Sequence, residues 1–320
     1  MAEMIDFNTV KERGFEKYKP PITLFICMAS IALFIGINLE EGVATHEVFK
    51  KWGAPSALYI FNGSYWGLLT SSFLHTELWH LGFNLYWIWI FGKKVEYETN
   101  PFFFIFLILS ASLVSSAAQL SFSDATGIGL SGIGYALFGF IVLSARTKEE
   151  YRHHIDKRTE NLFALWLPLC IVLTQLDILN VGNAAHIGGL LWGLAVAYFS
   201  RFHWSLAWTA KLALLALVGS MIFWSPFSTA YLSHKAYELH DAQKIEEAIA
   251  VYEEILNRDE DNEFAKSNLK NLELHQLSLD ARRLHQLGNY KEARQAYEEI
   301  INRDPDNQWA KEQLSRLPKD

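Results

Sequence analysis

The sequence predicts an all-α protein in which a polytopic membrane helix bundle precedes a soluble α-helical repeat domain. Three observations predict this: apolar runs of nearly spanning length over residues 22–223, a change of composition near residue 228, and a repeated pattern after it. Residues 228–320 carry 13 basic and 19 acidic side chains, whereas residues 1–227 carry 15 and 16. An apolar body is therefore followed by a charged, acidic tail.

Seven apolar runs are candidate membrane spans. A helix needs about 20 apolar residues to cross the hydrocarbon core of a bilayer, and several of these runs are shorter. Two contain histidine, which suits helices that are shielded by their neighbours or that face a water-filled cavity. We expect a six-helix core and one additional span, formed by residues 22–37, 78–91, 102–118, 132–145, 162–176, 184–199 and 206–223.

The distribution of basic residues predicts the orientation. If the N-terminus is cytoplasmic, the cytoplasmic segments carry twelve Lys or Arg, and the outer loops carry only Lys50 and Lys51. This is the bias of the positive-inside rule. We expect a multi-pass protein of a bacterial inner or plasma membrane, with a cytoplasmic segment at 1–21, the core at 22–200 and an additional transmembrane helix at 201–227. If that helix spans, the repeat domain at 228–320 lies outside the cytoplasm.

Composition also limits the classes of partner. The acidic balance gives no support to nucleic-acid binding, which requires a basic face. The two cysteines, Cys27 and Cys170, lie in apolar runs and indicate buried thiols, not a disulfide or a zinc site.

The tail repeats itself at an interval of 45 residues. Residues 248–262 (AIAVYEEILNRDEDN) realign on residues 293–307 (ARQAYEEIINRDPDN). This pattern of small, aromatic and acidic residues resembles tetratricopeptide repeats, whose period is about 34 residues. The longer spacing implies an extra stretch of about three turns, for example a lengthened helix from Asn262. Stacked helical hairpins form surfaces that hold peptides or proteins, so we expect a protein or peptide partner; a helical cap without a ligand is the alternative.

A serine lies where the fourth run begins, in Gly129-Leu130-Ser131-Gly132. The unpaired N–H groups and positive dipole of a helix N-terminus favour a developing oxyanion. Gly129 and Gly132 allow close backbone approach. Glycine and serine are also common in membrane helices, so a purely structural role stays open for this string by itself.

A histidine, His186, lies near the outer end of the sixth run and is followed by Gly189 and Gly193. Ionisable residues inside membranes are functional candidates by default. The small residues four apart favour close helix packing, which would bring His186 to Ser131. A structural hydrogen bond or a proton relay is the alternative role for this histidine.

Two polar side chains, His80 and Asn84, are four residues apart and so share one helix face. Both can donate hydrogen bonds to an oxyanion. A metal site with His75, His80 and His186 is the alternative, but no carboxylate or cysteine stands at ligand spacing beside them, so we expect no metal. Tyr135, one turn after Ser131, is expected to pack beneath the imidazole of His186.

Together these features resemble the rhomboid family of intramembrane serine proteases, over approximately residues 22–200. The resemblance implies a Ser131 nucleophile, a His186 general base and no acidic third member. It also implies an oxyanion hole made of His80, Asn84 and the backbone N–H of Ser131, with Tyr135 supporting the imidazole. The matching motifs, in chain order, are Gly53-Ala54, Thr70 to His75, His80 to Asn84, Glu96 after the second span, Gly129 to Gly132, and Ala185-His186 to Gly189.

The resemblance implies transmembrane protein substrates, met within the lipid bilayer, and a reaction that needs no cofactor. Two departures stand out: Gly67 where the family usually has arginine, and Asn100 where it usually has glycine. The first alternative is a rhomboid-like pseudoprotease acting as a membrane chaperone or adaptor, although such proteins normally lack the serine or the histidine. The second is a transporter or channel, which would predict repeated membrane halves; the sequence has none.

Overall fold

A computed structural model of the protein describes residues 14–40, 45–202, 204–220, 225 and 228–318. Within these residues the chain is all-α, with helices and short 3₁₀ turns and no strand. The predicted fold class is confirmed. The chain divides into two compact units, Met1–Tyr231 and Leu232–Asp320; the bounds of the four predicted segments stay predictions.

The helices follow the predicted apolar runs and repeats. The seven runs fall in α1, α5, α6, α7, α8, α9 and α10, and residues 221–223 of the last run lie outside the described residues. The bounds are α1 Pro21–Asn38, α2 His46–Lys51, α3 Ala57–Phe61, α4 Gly67–Thr70, α5 Leu78–Glu98, α6 Pro101–Phe122, α7 Ser131–Ala145, α8 Lys157–Gln175, α9 Asn183–Phe199, α10 Trp204–Ser220, α11 Thr229–Asp241, α12 Ile245–Arg258, α13 Glu263–Gln286, α14 Tyr290–Arg303 and α15 Gln308–Arg316.

Two stretches, Gly14–Asn38 (which contains α1) and Pro101–Phe122, are long and apolar enough to cross a membrane. The helices Ser131–Ala145 and Ser205–Ser220 are apolar but shorter. The shorter helices are consistent with spans that are shielded by neighbours, since α7 is buried along most of its length.

The start of α1 is held by a buried carboxylate. Pro21 occupies the first turn of α1, where its missing N–H costs nothing. Glu96, near the end of α5, accepts hydrogen bonds from the backbone N–H groups of Ile22 at 2.9 Å and Thr23 at 2.8 Å. Thr23 also donates its hydroxyl to the same carboxylate at 2.6 Å. Glu96 thus satisfies N–H groups that a helix N-terminus leaves unpaired and ties α1 to α5.

Helix α6 is polar on the side that faces its neighbours. Its serines at 110, 112, 115, 116 and 121 are all buried. Ser112 donates to the backbone oxygen of Leu69 at 2.9 Å, and Trp192 of α9 donates to the hydroxyl of Ser110 at 2.8 Å. Small hydroxyl side chains at helix interfaces allow close packing and interhelical hydrogen bonds, the pattern of membrane helix bundles.

The second unit contains the two repeats, and their helix bounds differ by the same 45 residues. α12 corresponds to α14, and the start of α13 corresponds to the start of α15. Asn262 and Asn307 cap α13 and α15, each accepting from a backbone N–H at 3.0 Å. α13 has 24 residues and is the lengthened helix that the repeat spacing predicts.

Candidate active site

The loop before α7 turns sharply enough to place Ser131 at the first position of that helix. Gly127 and Gly129 have φ values of +73° and +105°, which favour glycine. Gly129 is needed for a second reason: a Cβ there would lie 2.7 Å from a ring carbon of His80 and 3.2 Å from the amide nitrogen of Asn84. The loop therefore passes directly over the two predicted oxyanion donors.

Ser131 and His186 are hydrogen-bonded: the hydroxyl oxygen lies 2.8 Å from Nε2 of the imidazole. The ring of Tyr135 stacks on that imidazole, with centroids 4.8 Å apart and planes 30° apart. Nδ1 of His186 is buried and has no hydrogen-bond partner among the described residues. The arrangement is a pair without an acidic third member, in which Nε2 can accept the serine proton.

Close contact of α7 and α9 brings this pair together. A Cβ on Gly189 would lie 2.1 Å from the backbone oxygen of Gly132, and a Cβ on Gly193 would lie 1.9 Å from that of Ala136. Gly132 itself packs against Ser115 of α6: a Cβ on Gly132 would lie 2.6 Å from the Ser115 side chain. The three helices pack closely enough that these positions leave no room for a side chain.

A glutamine of α6 holds the end of α9 that carries the histidine. Gln119 Oε1 accepts the backbone N–H of Ala185 at 3.1 Å. This satisfies an N–H group in the first turn of α9, one residue before His186. In the sequence, the only signal for this role of Gln119 is an amide side chain within an apolar run.

Asn84 is held by His75, which the sequence offers both as the last residue of the Thr70 to His75 motif and as a member of the alternative metal site. Nε2 of His75 lies 3.0 Å from the amide nitrogen of Asn84 and 3.3 Å from the backbone nitrogen of Leu130. Its Nδ1 lies 3.2 Å from the backbone oxygen of Phe73. Nδ1 is therefore the protonated nitrogen, and Nε2 accepts. Both ring nitrogens are used within the protein, and no group of three His, Cys, Asp or Glu side chains suited to a metal occurs in the described part of the chain.

Residues 62–202, which contain this whole arrangement, match the family model of the rhomboid domain. By this match, residues 62–202 are a rhomboid domain. Residues 283–307 match a tetratricopeptide repeat, as the 45-residue repetition indicated.

Several curated relatives of the rhomboid domain bear the name Rhomboid protease GlpG. The one from Yersinia pseudotuberculosis serotype I (strain IP32953) is 30% identical over 181 residues, which are 56% of this chain and 62% of the relative. The one from Serratia proteamaculans (strain 568) is 31% identical over 185 residues, 57% of this chain and 64% of the relative. The match spans less than two thirds of the length of these relatives.

The two departures from the rhomboid pattern each have a local explanation. Asn100 caps α6, accepting the backbone N–H of Phe103 at 2.9 Å. Gly67 packs against Pro55 so closely that a Cβ would lie 2.3 Å from the proline ring. An arginine at this position does not fit the segment between α1 and α5 as it is folded here.

Other contacts brace the segment between α1 and α5. Glu40, at the end of α1, accepts hydrogen bonds from Lys51 at 2.6 Å and from the indole of Trp52 at 2.8 Å. These bonds hold the pKa of the Glu40 carboxyl below its usual range. The ring of Trp52 fills the space beside Gly36, where a Cβ would lie 2.2 Å from it. Lys51 and Trp52 therefore hold this segment against the end of α1, and Gly67 takes no part in these contacts.

The loop that leads to Ser131 also holds residues that follow α10. Asp124 accepts the hydroxyl of Ser228 at 3.0 Å and the backbone N–H of Ala230 at 2.7 Å. It thus caps the start of α11. Tyr231 packs edge-on against Phe61 of α3. Within the first unit, residues 228–231 therefore contact both α3 and the loop between α6 and α7.

Replacing His75 with leucine is expected to lower both stability and any activity of the rhomboid domain. The substitution removes the acceptor of two buried donors, the amide of Asn84 and the N–H of Leu130, and each unsatisfied buried group costs about 1–3 kcal/mol. Thermal unfolding should show a lower midpoint, and kcat should fall more than KM rises because Asn84 loses its orientation. A His75→Leu protein with unchanged unfolding midpoint and kcat would contradict this positioning role.

Proposed function

We propose that this protein is an intramembrane serine endopeptidase that cleaves transmembrane helices of membrane proteins with a Ser131–His186 dyad. The observation that carries the proposal is the 2.8 Å hydrogen bond between the Ser131 hydroxyl and Nε2 of His186 at the start of α7. The similarity of the domain to proteins named as rhomboid proteases supports it. Ser131 and His186 act as nucleophile and general base, and the reaction requires no cofactor.

Acylation begins with a proton transfer. As Ser131 Oγ attacks the scissile carbonyl carbon, its proton passes to Nε2 of His186, since a hydroxyl is a weak nucleophile until a base accepts that proton. The imidazolium then gives the proton to the leaving amine, and an acyl-enzyme remains on Ser131. Tyr135, stacked on the ring, keeps the imidazole in the orientation that this transfer requires.

The negative charge on the tetrahedral intermediate needs donors that are already in place. The backbone N–H of Ser131 lies in the first turn of α7, where N–H groups lack intrahelical acceptors. His80 and Asn84 lie beside Gly129, in the loop that enters α7. We assign these three donors to the oxyanion hole. Fixed donors of this kind are worth about 10²–10³-fold each in kcat.

Deacylation requires water at the serine. His186 accepts a proton from that water as it attacks the acyl carbonyl, and then returns the proton to Ser131. A site inside a membrane must therefore open to a hydrated cleft. The predicted topology puts the N-terminal ends of α7 and α9, which carry Ser131 and His186, on the outer side.

A lipid environment is supported by the inverted distribution of polar and apolar side chains. Apolar residues such as Phe25 of α1 and Leu165 of α8 are 72% and 70% exposed, whereas Ser112 of α6 is fully buried. Extensive exposed apolar surface marks a membrane or interaction site. We assign the protein to a bacterial inner or plasma membrane, with a cytoplasmic N-terminus and the repeats outside.

A phosphatase reporter that is active only outside the cytoplasm should be active when fused after residue 318; a silent fusion at normal protein level contradicts this topology.

A serine-directed fluorophosphonate label tests the proposed enzyme class. The purified full-length protein should be labelled on Ser131, because His186 activates that hydroxyl, and Ser131→Ala should not be labelled. A pseudoprotease acting as a chaperone or adaptor predicts no labelling of either protein. Label on a different serine, retained in Ser131→Ala, would overturn the dyad assignment.

A further inference from the structure

The second repeat contains a concavity of about 370 Å³ between α13, α14 and α15. Its lining combines two aromatic rings with cationic and amide groups and contains no carboxylate. The lining residues are Arg282, His285, Gln286, Tyr297, Trp309 and Gln313. We refer to this concavity as the Arg282 pocket.

The arginine of this pocket is placed by an aromatic ring. Its guanidinium lies 5.5 Å from the ring centroid of Trp309, and no carboxylate pairs with it within the described ranges. A guanidinium stacked on an aromatic ring keeps its planar set of N–H donors available for a carboxylate. Arg303, in the neighbouring concavity, differs because Glu273 and Glu299 already accept its donors at 3.1 and 2.6 Å.

His285 adds a second donor to the pocket. Its Nδ1 lies 3.3 Å from the hydroxyl of Tyr297, which leaves Nε2 as the ring nitrogen able to meet a ligand. Trp309 packs edge-on against Tyr297, with centroids 5.7 Å apart. The aromatic pair provides an apolar wall beside the polar groups.

The first repeat has the same aromatic framework but the opposite charge. Tyr252 and Phe264 stand 45 residues before Tyr297 and Trp309, and their rings pack in the same edge-on way at 6.0 Å. The residue equivalent to Arg282 is Tyr237, and the residue equivalent to Gln286 is Asp241. With histidine neutral, the lining of the second repeat carries +1 where the equivalent set carries −1. The aromatic pair that packs the helices is common to both repeats, whereas the charged residues of the two linings differ.

We propose that the Arg282 pocket binds an acidic segment of a partner protein, with a side-chain carboxylate on Arg282 and His285 and an adjacent apolar side chain against Trp309. Charge complementarity is the basis of the assignment, because the lining of this concavity carries one formal positive charge and no carboxylate. The inference names the partner chemistry of the repeat domain and rests on the proposed binding role of the repeats. It does not depend on the protease assignment.

Calorimetric titration of the full-length protein in neutral detergent tests the proposal. The probe is an octapeptide with four Glu and two Phe residues, blocked at both ends, and the control peptide has Gln in place of each Glu. We expect one Glu peptide to bind per chain, with weaker binding at higher salt because the contact is exposed to solvent. Arg282→Gln should weaken binding about tenfold by removing one charge-assisted interaction. Gln286→Asp, which introduces the first repeat's carboxylate, should weaken it as well.

Arg283→Gln is the matched control, since it removes the same charge from the next residue, which does not line the pocket. It should change the affinity less than twofold. Circular dichroism should show that all three variants keep the helical content of the parent protein. Equal affinity for the Gln peptide, no binding of the Glu peptide, or equal losses in Arg282→Gln and Arg283→Gln would overturn the proposal. The proposal would also be overturned if the parent protein self-associates and Arg282→Gln does not. That result would identify a second copy of the chain as the occupant of the pocket.

The Ser131→Ala protein separates this inference from the proposed function. It should bind the Glu peptide as tightly as the parent, because Ser131 and the pocket belong to different units of the chain. Failure of labelling at Ser131 with intact peptide binding contradicts the protease assignment alone. Intact labelling without peptide binding contradicts the pocket alone.

Discussion

Replacing Ser131 with alanine should reduce cleavage of a transmembrane substrate by at least about 10⁴-fold, the loss seen when a catalytic nucleophile or its base is removed from a serine hydrolase. The physical reason is the loss of the hydroxyl that lies 2.8 Å from Nε2 of His186. His186→Ala should cost a similar factor, because Nε2 of His186 is the base that is hydrogen-bonded to the Ser131 hydroxyl and accepts its proton. The two losses should not add in the double variant, since both remove the same step.

The measurement is the rate of appearance of cleaved product in detergent, with thermal unfolding recorded on the same samples. Ser131→Ala should lower the free energy of unfolding by about 1–3 kcal/mol, the cost of leaving Nε2 of the buried His186 without its partner. Ser144→Ala, which changes a buried serine on the same helix, is the matched control and should retain cleavage. Full activity in either Ser131→Ala or His186→Ala would refute the dyad.

The motif residues could be predicted from the sequence because each carries a local signal. Ser131 follows a turn that requires glycine, and Gly189 and Gly193 are spaced for close helix packing. In the structure Ser131, His186 and Tyr135 lie together, and His80 and Asn84 lie beside the loop that enters α7. The roles assigned to these residues remain predictions that the variants above test.

The supporting contacts could not be predicted because they depend on tertiary placement. Gln119 meets Ala185 across 66 residues, and His75 meets Leu130 across 55. No periodicity or spacing within one helix contains that information. Gly67 illustrates the same limit: the sequence shows only that it departs from the family pattern, whereas the packing against Pro55 and the contacts of Glu40 show how the segment between α1 and α5 is braced without an arginine.

Replacing Gly189 with alanine is expected to separate the dyad, although the change adds only one methyl group. Its Cβ would lie 2.1 Å from the backbone oxygen of Gly132 and 2.9 Å from the carbonyl carbon. Backbone cannot rotate away as a flexible side chain can, so α9 must move away from α7, and overpacking of this kind costs about 1–3 kcal/mol or more. A shift of about 1 Å at the reacting atoms is enough to lose about 10²-fold in rate. We expect a lower unfolding midpoint and at least that loss of cleavage.

Gly134→Ala distinguishes this specific contact from a general intolerance of the helices to substitution. Gly134 lies on α7, and a Cβ there meets nothing within 4 Å. Since alanine is the better helix former by about 1 kcal/mol, Gly134→Ala should keep the unfolding midpoint and the cleavage rate or raise the midpoint slightly. Fluorophosphonate labelling then reports the cause of any loss in Gly189→Ala, because a displaced His186 no longer activates Ser131 even when the protein stays folded. If Gly189→Ala is labelled and cleaves at the parent rate, the close contact of α7 and α9 is not what holds the serine and the histidine together.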